Sequence, residues 1–92
     1  MNHQALLDKQ IHILSSSNSI DEKRGLGAEI LELFKEASSS VEIPVAVKLN
    51  AMLALREAID EFIIHDNTVS RTALENNYQY ISNLLYNSEE AA

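Results

Sequence analysis

The stretch Val41–Leu53, VEIPVAVKLNAML, follows three serines and opens a segment with almost no polar side. Pro44 is the chain's one proline. It disfavours helical geometry at Ile43 and suits the first turn of a new helix, so it marks a start. From Pro44 to about His65 (44–65) the pattern predicts one long helix, with Val45, Met52, Leu55, Ala58, Ile59, Phe62 and Ile63 on its main apolar face. Leu49, Leu53 and Ile64 fall almost opposite. A helix apolar on more than one side needs cover on more than one side, so this segment is expected at the centre of the fold. Lys48 lies mid-face near the helix start, where an unpaired buried ammonium would be costly. It is expected to snorkel past the bundle end or to meet a carboxylate.

The flanking segments repeat the helical period. Leu7, Ile11 and Leu14, flanked by Leu6 and Ile13, predict a helix over 4–15 that stops in SSSNS. A second helix, 20–38, opens on Ser19 and Glu22 at capping-box spacing and carries Leu26, Ile30, Leu33, Phe34 and Ala37 as one stripe. Gly25 and Gly27 each cost it about 1 kcal/mol relative to alanine, so its first turns are expected to fray or to form a separate short turn. Ser38–Ser40 end it by competing for backbone hydrogen bonds. After HDNT, Leu74, Tyr78, Ile81 and Leu85 predict a helix over 70–86, and residues 87–92 read as a loose tail. Four helices, short links and no strand signal predict an all-α protein, an antiparallel four-helix bundle in a single domain of residues 1–92.

Composition narrows the function. Ninety-two residues make one domain, which buries roughly 60–65% of its unfolded surface. The absence of cysteine removes disulfides, thiolate ligands and thiol nucleophiles, and fits a reducing compartment. No apolar run reaches the roughly 20 residues that span a bilayer, and MNHQALLDKQ lacks a basic region followed by an apolar block. The chain therefore reads as cytoplasmic. Its net charge of −7, with the basic residues scattered, disfavours phosphate backbones and anionic lipid.

Chemistry-bearing patterns are sparse. None of His3, His12 and His65 stands in a Glu-x-x-His or His-x-x-x-His arrangement; His65 follows Glu61 by four residues, and two ligands do not make a metal site. His3 and His12 are expected in solvent. Glu29, Glu32 and Glu36, interleaved with Lys35, read as a solvated face. There is no phosphate loop, nucleophile elbow or kinase signature, so no enzyme, cofactor, metal or small-molecule substrate is expected. The outer face of the last helix carries Asn76, Tyr80, Asn83 and Asn87 in one uncharged stripe, with Tyr86 on the other flank. Amides and tyrosines are adaptable contact groups, which makes this the candidate binding face.

An amphipathic second helix, a serine-rich link, EIPVAVKLNAML opening a long third helix and a shorter fourth after HDNTVS together resemble the immunity proteins of pediocin-like bacteriocins, the enterocin A immunity type. The likeness covers about 26–85, and its most particular part is Pro44-Val45-Ala46 followed by Leu49-Asn50. It implies an antiparallel four-helix bundle in the cytoplasm of a Gram-positive cell, or peripheral at the inner face of its membrane. The implied action is binding: such proteins engage the membrane permease of the mannose phosphotransferase type once bacteriocin has bound it, and block the pore from inside. The family's specificity lies in its C-terminal half, which maps here onto Arg71, Asn76, Tyr80, Asn83, Tyr86 and Asn87.

Two other classes compete. A small helical adaptor would bind a soluble protein through the same face or self-associate through Leu49, Leu53 and Ile64, although a monomer is expected ahead of a dimer. A helix-turn-helix reading through SRTALENNYQYI is opposed by its single arginine and the net charge.

Overall fold

The structure, a computed structural model, describes residues 3–15, 19–39 and 41–91, with side chains described as far as Tyr86. These residues form four helices: α1 (His3–Ser15), α2 (Ile20–Ser39), α3 (Val45–Ile64) and α4 (Thr68–Ala91). α1 packs on α2 and α4, and α3 packs on the same two, so the helices stand as the corners of a square. Short links make neighbours in sequence antiparallel, giving an all-α four-helix bundle of 40 × 22 × 17 Å.

Local chemistry sets the helix ends. The Glu22 amide donates to Ser19 Oγ at 3.3 Å, one limb of the expected capping box. At the other end of α2 the Ser38 and Ser39 hydroxyls donate to the Lys35 and Glu36 carbonyls, the local competition that stops a helix. Pro44 is the N-cap of α3, one residue outside the expected first turn, and its carbonyl accepts from the Lys48 amide at 3.0 Å. α4 starts two residues earlier than its apolar pattern because Asn67 and Ser70 cap it reciprocally: the Ser70 amide donates to Asn67 Oδ1 at 2.9 Å and the Asn67 amide to Ser70 Oγ at 3.0 Å. It runs on to Ala91, through most of the stretch read as a tail, where no glycine or proline interrupts.

The core holds Leu6, Ile13, Leu26, Ile30, Phe34, Ala37, Leu55, Ile59, Phe62, Leu74, Ile81 and Leu85. α2 is continuous through both glycines. A Cβ on Gly27 would lie 2.7 Å from Ile59 Cγ2, whereas one on Gly25 would meet nothing within 4 Å. Gly27 therefore lets α2 and α3 approach closely, and that contact holds the weak first turns in place.

Three expectations are corrected. α3 is a corner of the square, not its centre: Leu49, Leu53 and Ile64 are 57–68% exposed, and Val45, assigned to the main face, is 70% exposed. On α1 the buried face is His3, Leu6, Leu7, Gln10 and Ile13, while Ile11 is exposed. The helix is rotated because polar Gln10 takes a core position. His3 is buried, edge-on to the Tyr86 ring at 5.8 Å, while His12 is exposed as expected. Lys48 is half-buried beside Glu42, Ile43 and Pro44 at the start of α3. No described helix is long and apolar enough to cross a membrane.

Candidate functional site

Leu74, Asn77, Ile81 and Leu85 turn inward on α4, which sends Asn76, Tyr80 and Asn83 outward, all exposed. These three stand together as the sequence predicts. Asn87 continues the same helical row, and its side chain lies outside the described residues. Tyr86 faces the α1 side, partly engaged with His3.

Arg71 serves a different end of the molecule. Its Nε donates to Asp66 Oδ1 at 2.8 Å, its Nη2 to Asp66 Oδ2 at 3.3 Å and its Nη1 to the Leu14 carbonyl at 2.8 Å. Lys23, only 3% exposed, donates to Asp66 Oδ2 at 2.8 Å. Both cations lie over the Phe62 ring, at 4.6 Å for Lys23 and 5.2 Å for Arg71. One carboxylate thus ties α2 and α4 to the α3–α4 link, and Arg71 extends the tie to the end of α1. Hydrogen bonds from Lys23 and then Arg71 hold the Asp66 carboxyl below its usual range, against the opposing effect of burial. Neither Lys23 nor Asp66 was singled out in the sequence. The available signal was that Lys23 shares the stripe of Leu26, Ile30 and Phe34, where an isolated ammonium could not stay unpaired.

Beside the outward row runs a shallow groove of about 550 Å3 between α3 and α4. Ala54, Ala58 and Ala73 keep it open; Glu57 and Glu61 edge it from α3, and Asn76, Asn77 and Tyr80 from α4. Asn77 is buried, its Oδ1 accepting from Gln10 Nε2 of α1 at 3.4 Å. Two carboxylates one turn apart thus share the groove with two amides and a phenol. That set accepts hydrogen bonds from N–H groups and attracts cations. It offers no nucleophile poised by a base, and among the described residues no three His, Asp or Glu side chains are placed to hold a metal ion.

Compared with known protein families, curated proteins and solved structures, the chain matches none.

Proposed function

We propose that this protein acts by binding a protein partner through the outer face of α4 and the adjoining α3–α4 groove, and that its role is immunity to a pediocin-like bacteriocin. The observation that carries the reading is the exposed row Asn76, Tyr80 and Asn83 beside a groove edged by Glu57 and Glu61. A phenol supplies apolar area with one polar handle, amides adapt to donors and acceptors alike, and the carboxylates select for basic or N–H-rich segments. The four-helix bundle is the architecture that the resemblance implies. On this reading the protein meets the bacteriocin-bound permease of the mannose phosphotransferase type from the cytoplasmic side. Arg71 acts indirectly, by fixing the start of α4. A second reading, an adaptor for a soluble basic partner, is favoured by the acidic edge of the groove and the net charge of −7.

Co-purification of tagged protein with detergent-solubilised permease separates the two readings. The immunity reading expects retention when bacteriocin is present and little without it, with loss on Tyr80→Ala or Asn83→Ala. Absence of retention in both conditions would refute it and favour the adaptor.

A further inference from the structure

The exposed flank of α3 has a pattern of its own. Val45, Leu49, Leu53, Arg56, Asp60 and Ile64 follow at steps of three or four residues and share one side of the helix. Its aliphatic members are 57–70% exposed, a concentration that scattered surface hydrophobes do not produce. Arg56 and Asp60 are both exposed in the middle of the row, and neither has an ion-pair partner among the described residues.

We propose that this flank is a self-complementary surface through which two copies of the chain pair by their α3 helices, antiparallel, with Arg56 of each copy meeting Asp60 of the other. A two-fold axis at the level of Ala58 sets Arg56 and Asp60 equally far on either side of it, so both ion pairs form at once. At about 1.5 Å rise per residue, Leu53 lies about 7.5 Å from that level and Ile64 about 9 Å, so the two meet across the interface. The row carries one positive and one negative charge, so two strongly acidic copies come together along a neutral strip. Beside it, a groove of about 430 Å3 between α2 and α3, walled by Ala28, Leu31 and Ile63 with Arg24 on the α2 side, gives the other copy's aliphatic side chains a seat.

The apolar side chains supply most of the affinity and the charges fix the register. One helix flank covers less than the roughly 800 Å2 per partner of a standard interface, so the dimer is reversible. The α3–α4 groove is edged by Glu57 and Glu61, and Glu57 lies on α3 beside Leu53 and Ile64, so pairing reaches the rim of that groove but not the α4 row Asn76, Tyr80 and Asn83, and it does not depend on the proposed binding role.

Sedimentation equilibrium from about 10 μM to about 1 mM tests this. The unaltered chain is expected to rise from the monomer mass of 10.3 kDa toward twice that value. Arg56→Asp alone or Asp60→Arg alone sets like charges against each other at both contacts and is expected to weaken pairing by at least roughly tenfold. An equimolar mixture of the two single variants restores opposite charges at both contacts and is expected to associate more strongly than either variant by itself. That outcome also excludes misfolding as the cause. A chain that stays monomeric throughout, or a dimer indifferent to these variants and their mixture, overturns the proposal.

Discussion

Gly27 and Gly25 lie two residues apart in one helix and should respond oppositely to the same substitution. In an exposed helix interior, glycine to alanine gains about 1 kcal/mol. Gly25 faces open space, so Gly25→Ala should stabilise the fold by about that amount. At Gly27 the same propensity gain meets a new methyl 2.7 Å from Ile59 Cγ2. That carbon branches from the Cβ of a residue only 2% exposed, so it cannot swing away and α2 or α3 must shift. Overpacking of this kind costs about 1–3 kcal/mol. Gly27→Ala should therefore come out neutral to about 2 kcal/mol destabilised, roughly 1–3 kcal/mol below Gly25→Ala. In urea, with a slope on the order of 1 kcal/mol/M for so small a domain, the two midpoints should differ by about 1 M or more. Ile59→Leu removes the β-branch and should rescue Gly27→Ala beyond additivity in a double-mutant cycle. Equal stabilisation by both alanines, or no coupling to position 59, would refute the close approach of α2 and α3.

The buried Gln10–Asn77 pair should behave as a unit. Asn77→Leu alone strips Gln10 of its partner, while Gln10 Oε1 already lacks one among the described residues; a loss of about 1–3 kcal/mol is expected in urea titration, largely recovered by Gln10→Leu/Asn77→Leu. Asp66 should give stability a distinct acid limb. Because its folded carboxyl titrates below the ordinary aspartate value of 3.8, its contribution is complete above that pH and is lost as pH falls from there through the lower folded value. Asp66→Asn, which leaves the buried Lys23 ammonium without its carboxylate, should be less stable than the unaltered chain at neutral pH, and the gap in urea midpoint should close below about pH 4.

Local signals in the sequence were sufficient for the helices themselves. Pro44, the Ser19 cap and the serines before Val41 each act on backbone a few residues away, so their effects could be read where they stand. Leu26, Ile30, Phe34 and Ala37 mark the inward face of α2 because four apolar residues recur at helical spacing there, even though Lys23 continues the same stripe. α1 and α4 were harder. Gln10 and Asn77 sit on core faces that apolar counting skips, and each finds its hydrogen-bond partner in the other, 67 positions away. Lys23 likewise depends on Asp66, 43 positions on. The several apolar sides of α3 were legible, but not what covers them, since a corner helix with an open flank and a central helix share one pattern. Asn76, Tyr80 and Asn83 could be placed outward by period alone. Glu57 and Glu61 joined them only through the alignment of α3 against α4, which no single helix encodes.

The most direct test of the functional account is a protection assay in a bacteriocin-sensitive Gram-positive strain expressing this chain, challenged with a panel of pediocin-like bacteriocins. The account predicts survival against one or two members, abolished by Tyr80→Ala or Asn83→Ala at unchanged protein level. Killing across the whole panel, with the protein demonstrably expressed and folded, would contradict it.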